Sequence, residues 1–352
     1  MMVSKPPRAS RAAAIAGGTA AMILAAVPAA AAAPQTTGVT QASSGATSAT
    51  PPIQVKVLIP DLIAFQDASG TLGQSGNLFS GGSLGKAVAP GTSPVVLSVG
   101  GAGYEVIYQA SDHHWAETGD AGTLETSFVM APGTSPAAVL SPGASNGAWQ
   151  NAWQGSNGNL WAQGTDLGLP MAPNTSPSMV WLGTGYEILY QASNHHLAQT
   201  GVFGTRDLGA VMAPGTSPVV TLSPGASNSA SYQIAWQGSN GNLWAQGTDL
   251  GLAMAPNTSP SMAWLGNGYQ ILYQASNHHL AQTGVFGTRD LGAVMAPGSS
   301  PTVTLSPGAF GAYQIAWTGD NGDLWASDPI GGATTDLGLR PAPNSSPSIT
   351  VL

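Results

Sequence analysis

The sequence predicts an all-β fold: a seven-bladed β-propeller with four-stranded blades, closed by N- and C-terminal segments that share one blade. Three observations predict it. One phrase returns throughout the chain, each period holds several short apolar runs bounded by turn residues, and the part-unit left over at the C-terminus is what the N-terminal unit lacks.

The phrase reads VAPGTSP from Val88, MAPGTSP from Met130, MAPNTSP from Met171, MAPGTSP from Met212, MAPNTSP from Met254, MAPGSSP from Met295 and PAPNSSP from Pro341, in steps of 41 to 46 residues. A period near 42 with several short strands marks a propeller, because each small sheet has two apolar faces and buries them only against its neighbours. In the phrase, Pro fixes φ, Gly or Asn takes a positive φ, and Thr or Ser bonds its own backbone.

Within a unit, a first strand follows the phrase, as at Pro177 to Leu182. A second strand such as Tyr186 to Gln191 or Tyr232 to Gln237 comes after a Gly-rich turn. A tight SNGN or SNHH turn leads to a third strand such as Leu243 to Gln246, and the fourth ends at the next phrase. Tyr232, Ile234 and Trp236 point one way and Ala235 the other, as a sheet packed on both faces requires. Asn-Gly at 157 and 158, 240 and 241, and 321 and 322 supplies the positive φ angles of a hairpin.

Six units run from Thr92 to Asn344, and only Ser345 to Leu352 then remains, enough for one first strand. At the other end, Ile63 to Leu72 aligns with Ile234 to Leu243. The seventh blade is therefore built from 53–91 plus 345–352, which removes the exposed sheet faces of an open array. The propeller as a whole spans 53–352. The units also alternate: odd ones carry YEVIYQASDHHWAETG or a variant, even ones IAWQGSNGNLWAQGTDLG or a variant.

Composition agrees. Gly (47) and Pro (27) make up about a fifth of the 352 residues, charged residues only 7 %, and aromatics are plentiful with Trp 10, Tyr 8 and Phe 6, unlike a disordered chain. Lys5, Arg8 and Arg11 ahead of the apolar stretch Ala12 to Val27 and the small residues Ala29 to Ala33 read as a signal peptide over 1–33, so the protein is expected to be secreted and extracellular. Residues 34–52, rich in Ser, Thr, Ala and Pro, read as a linker. Without the leader, 5 cations face 16 anions. That balance excludes the phosphate-neutralising stripe of a nucleic-acid binder and the basic patch of a lipid-surface binder, and no membrane insertion is expected after cleavage. The absence of Cys excludes disulfides and thiolate chemistry.

All six histidines come in pairs, His113 with His114, His195 with His196 and His278 with His279, each replacing the Gly-Asn of the even-unit turn. Adjacent residues on a turn suit a metal poorly, since strand-borne ligands lie two apart on one face; no metal and no cofactor is expected. The pairs read either as solvated turn residues or as ligand contacts at a groove mouth. Trp161, Trp244 and Trp325 occupy the third strand of even units, where odd units have Ala116, Ala198 and Ala281. Two readings stay open: packing between blades, or an aromatic face lining a pocket and stacking on a sugar. Arg206 and Arg289, each followed by Asp, read as exposed neighbour pairs on the rim opposite the histidines.

Catalysis has thin support. The only glutamates are Glu105, Glu117, Glu125 and Glu187, with no matched pair in one unit for glycoside hydrolysis. Asp320, Asp323, Asp328 and Asp336 in the sixth unit are the one carboxylate cluster. No GxSxG, HExxH or phosphate loop is present.

On Gly133-Thr-Ser-Pro136, Gly215-Thr-Ser-Pro218, Trp153 to Trp161 and Trp236 to Trp244, the chain from about Ile53 to Leu352 resembles secreted actinobacterial proteins with repeated GTSP phrases. These are similar to bacterial seven-bladed propeller lectins of the fucose-binding type, and more distantly to tectonins. The resemblance implies sugar sites between blades, no cofactor, and self-association into homo-oligomers. Three functions follow for comparison: a non-enzymatic, multivalent, lectin-like module binding glycans or glycoconjugates through the tryptophans and histidines; a structural or protein-interaction propeller of the cell surface; and a glycoside hydrolase. Aromatic and histidine side chains at equivalent positions favour the first.

Overall fold

The computed structural model describes residues 61–76, 79–100, 103–142, 149–224, 230–306, 312–328 and 333–352. The expected signal peptide, the linker and residues 53–60 lie outside the described residues. Among those described, 28 strands and no helix form seven four-stranded antiparallel sheets, arranged as a seven-bladed propeller. Blades I to VI span 95–129, 137–170, 178–211, 219–253, 261–294 and 302–336; blade VII combines 61–87 with 348–351.

The closure has the expected partners. The strand Ser348–Val351 pairs antiparallel with Asp61–Gln66, with Asp61 opposite Val351 and Ala64 opposite Ser348. The apolar core is divided into seven clusters, one at each junction of consecutive blades. Alternation along the strands explains this: Ile234 and Trp236 face blade III, while Ala235 faces blade V. Burying one side chain of Leu or Met size contributes about 1.5–3 kcal/mol, so a junction of seven or so outweighs any of its polar contacts.

The phrase does more than turn the chain. Its glycines and asparagines hold φ between 59° and 75° at Gly91, Gly133, Asn174, Gly215, Asn257, Gly298 and Asn344. Thr134, Thr175, Thr216 and Thr258 return their hydroxyls to the carbonyl of the alanine three residues back, at 2.7–2.8 Å, as the turn chemistry predicts. The next residue, a serine, reaches the following blade instead. The backbone N–H of Ser93 donates to the hydroxyl of Ser135, and the relay continues through Ser176, Ser217, Ser259, Ser300 and Ser346 back to Ser93 at 2.8–2.9 Å per step. Each serine thus satisfies a backbone donor in the neighbouring phrase, and the seven form a closed ring.

A second set of ties comes from glutamines at the end of the second strands. Gln109, Gln191 and Gln274 donate to the carbonyls of Ala131, Ala213 and Ala296 at 2.8–2.9 Å. Phrase and second-to-third-strand turn therefore share one face of the propeller. The hairpins between third and fourth strands lie on the other.

The turn geometry differs from the sequence reading in one respect. Only the glycine of each Asn-Gly pair takes a positive φ, 80° at Gly158, 79° at Gly241 and 79° at Gly322. The asparagine instead uses its side chain: Asn157 Oδ1 accepts from the backbone N–H of Asn159 and from the Trp161 indole. The loop is a four-residue turn ending in a left-handed residue, not a two-residue hairpin.

Candidate functional site

The first histidine of each pair occupies the glycine position of that turn, with φ of 70° at His113, 64° at His195 and 65° at His278. A left-handed conformation costs a side-chain-bearing residue about 1–2 kcal/mol. His113 and His195 offset it in part through Nδ1 contacts with Gln109 and Gln191 at 3.4 Å. The second histidine, about a third exposed, turns into its own blade. Nδ1 of His196 meets Asp207 at 2.8 Å and Nδ1 of His279 meets Asp290 at 2.6 Å.

Asp207 and Asp290 are reached because the fourth strand bulges: the register shifts opposite His196 and His279, and Gly209 and Gly292 take positive φ. The backbone N–H of Gly209 holds the Asp207 carboxyl below the usual range, with Asn194 and His196 assisting. Even blades build the same node from Asn159 and Asp166, or Asn242 and Asp249. Arg206 and Asp207 are both exposed, as expected, but they point apart, and Asp207 reaches the histidine instead of standing opposite it. Arg206 bonds Gln199 and approaches Tyr232 of the next blade, because consecutive strand residues point to opposite faces.

The tryptophans lie at the other set of junctions. Trp161, Trp244 and Trp325 are part-buried and stack on Trp153, Trp236 and Trp317 of their own second strands, with centroids 6.0–6.3 Å apart and planes within 23°. They face the preceding odd blade, at junctions I/II, III/IV and V/VI. Tyr190 and Ala198, on the strand face that carries His196, belong to junction II/III. Fold and register therefore separate the two groups of candidate residues into alternate grooves on one rim. A Cβ at Gly155, Gly238 or Gly319 would collide with the indole of Trp161, Trp244 or Trp325, whereas blades I, III and V pair alanine with alanine at both positions, as in Ala192 and Ala198.

Two grooves open into cavities. One, of about 290 Å³, lies between blades V and VI, lined by the Arg289 to Ala293 stretch, Ile315, Trp317, Ser327 and Thr334. The other, of about 200 Å³, lies between blades I and II and is lined by Trp115, Thr126, Phe128, Asn151, Trp153, Gln163 and Gly164. In this second cavity four buried polar atoms have no hydrogen-bond partner: the indole nitrogens of Trp115 and Trp153, Oδ1 of Asn151 and Nε2 of Gln163. Each such orphan costs about 1–3 kcal/mol. The corresponding residues of blades III and IV are Leu197, Ala210 and Ile234 where this junction has Trp115, Phe128 and Asn151. Those departures from a nearly exact repeat were the signal in the sequence for this site. The alternation of blades drew attention to the third-strand tryptophans instead.

The carboxylates are absorbed by local structure. Glu105 and Glu117 share blade I, and burial, to which the Glu105 charge adds, raises the Glu117 pKa. Glu105 nevertheless caps a hairpin by accepting from the N–H of Ala121. Glu187 does so from Phe203, and Gln270 fills the role in blade V toward Phe286. A neutral amide serves equally there, so the position is structural. In blade VI, Asp323 pairs with Arg340 at 3.3 Å and accepts from Asn321, and Asp336 accepts from the N–H of Gly338.

The chain is thus a propeller whose blade junctions carry aromatic-walled clefts. Its fold is similar to that of solved lectins. The BP39L lectin from Burkholderia pseudomallei superposes with a TM-score of 0.59 at 12 % identity, over 81 % of this chain and 95 % of that one. The SapL1 lectin in complex with alpha methyl fucoside gives 0.50 at 16 % identity, over 71 % and 96 %. No protein-family model and no curated protein matches the sequence.

Proposed function

We propose that this chain is a secreted, non-catalytic carbohydrate-binding propeller that takes a sugar residue in the cavity between blades I and II. The observation that carries the reading is the convergence of four unpartnered buried polar atoms on one aromatic-walled cavity. Three of them donate and one accepts, which suits neighbouring hydroxyls that act both ways. The part-buried ring of Phe128, backed by the buried indoles of Trp115 and Trp153, offers an apolar surface on which the C–H face of a sugar packs. The likeness in fold to the SapL1 lectin, solved in complex with alpha methyl fucoside, supports the ligand class. The groove at V/VI, lined by Arg289 and Trp317, and its counterpart at III/IV are further sites in this reading. The protein then engages glycans on a multivalent surface, where several weak sites raise retention without any new contact.

Glycan-array binding of the purified protein tests this, with Trp115→Leu/Asn151→Ile as the control. That variant carries the residues that Leu197 and Ile234 already provide at junction III/IV, so it folds. The parent is expected to retain a defined glycan set and the variant to lose most of it. Equal retention by both would move the site away from this cavity. A folded parent that retains no glycan would favour the protein-interaction reading. Replacing the pairs His113-His114, His195-His196 and His278-His279 by Gly-Asn separates a ligand role of the histidines from their turn role.

A further inference from the structure

The second-to-third-strand turn of blade I departs from its counterparts in a way that changes its chemistry. In blades III and V the residue two before the second histidine is Asn194 or Asn277, and the Asn194 amide donates to Asp207 at 3.1 Å. In blade I the same position is Asp112, and the fourth-strand carboxylate is Glu125. Two carboxylates now flank one imidazole. Nδ1 of His114 lies 2.7 Å from Asp112 Oδ2 and 3.8 Å from Glu125 Oε1, and one ligand atom from each residue lies within 4.8 Å of the other two. Among the described residues, no cation completes the charge. Lys86, on the blade VII strand whose Leu84 packs into the same junction, makes no ion pair.

We propose that Asp112, His114 and Glu125 form a binding site for one first-row divalent cation such as Zn2+. One imidazole nitrogen and two carboxylate oxygens are a common ligand set for such an ion, and the imidazole disfavours Ca2+ and Mg2+. Ligands around a tetrahedral zinc stand about 3.3 Å apart, between the two separations seen, so small side-chain rotations suffice. A separate observation points into the same place. Tyr108, 3 % exposed, stands opposite Ala116, which in turn stands opposite Glu125 on the next strand. Burial pushes its pKa up to about 12, and the charges of Glu125 and Asp112 add to that shift, so its hydroxyl lies in their field. It is placed to donate to a ligating carboxylate or to a water on the metal, the outer contact that metal ligands usually have. The paired histidines as such are not the ligand set; only His114 takes part.

Isothermal titration of the purified protein with ZnCl2, and separately with CaCl2, tests the site against Asp112→Asn. That variant restores the turn of blades III and V and keeps the fold. One zinc per chain is expected for the parent, with affinity at least about tenfold weaker in Asp112→Asn and no saturable calcium uptake. No saturable zinc uptake would overturn the proposal. So would three ions per chain with no effect of Asp112→Asn, which would assign the metal to the His-His pairs.

Discussion

The backbone N–H of Ser346 donates to the hydroxyl of Ser93 at 2.8 Å, joining residues that stand 253 positions apart in the chain. The other six bonds of that ring span one period each. This one fastens the two ends of the molecule, together with the strand pairing of Ala64 to Ser348. Closure is thus made twice, in a sheet and in a ring of hydroxyls.

Deleting residues 346–352 removes both fastenings. It also exposes Ile63, Phe65 and Ala316, which Ile349 helps to bury. The truncated protein is expected to melt well below the parent and to aggregate. A melting temperature and solubility equal to the parent's would count against closure as described.

Within the ring, Ser217→Ala leaves the N–H of Ser176 without its acceptor. The expected cost is about 1–3 kcal/mol, read as a shifted midpoint in guanidinium unfolding with an unchanged slope. Ser156→Ala, on an exposed turn, serves as the control and should change little. Equal midpoints for the two variants would show that the ring adds nothing.

Gly238 and Trp244 form a test of packing. Gly238→Ala alone forces the new methyl into the indole, and Trp244→Ala alone leaves a void. The double variant reproduces the Ala192 and Ala198 pair of blade III. It is expected to be more stable than the sum of the single effects by about 0.5–3 kcal/mol. Additive losses would mean that the pairing of small with large residues is incidental.

Burial raises the Glu187 pKa above its ordinary value of 4.5. An acid whose folded pKa is raised favours the fold when protonated, and that contribution is lost as pH rises through the folded value. Glu187→Gln, which copies Gln270, is therefore expected to melt higher than the parent at pH 7. The difference should close as pH falls below about 4.5. A gap that widens toward acid pH would reverse the assignment.

The period of the phrase and the leftover first strand made architecture and closure legible, because both depend only on counting. Turn residues were legible where chemistry is local, as with Thr134 and its own turn. The serine relay was not, since Ser135 answers a donor one blade away and nothing in its neighbours along the chain announces that. The node of His196 and Asp207 was hidden for a similar reason: it depends on a one-residue bulge near Gly209 that changes which residues face each other. Trp161 was visible as a candidate, but Trp115 and Asn151 only became one site when blade I was set against blade II.

Seven is an odd number, and the blades alternate between two kinds. Strict alternation cannot close on such a ring, just as two colours cannot tile a heptagon without a repeat. Blade VII, assembled from both ends, absorbs the mismatch. Of the seven junctions, only I/II, III/IV and V/VI place an odd blade ahead of an even one with its stacked indole pair. Those three clefts stand about 100° apart from one to the next, leaving an arc of about 150° across the seam. The propeller is therefore lopsided in its plane: among the described residues, the stacked indole pairs fall at regular intervals on one side of its circumference and the seam lies on the other.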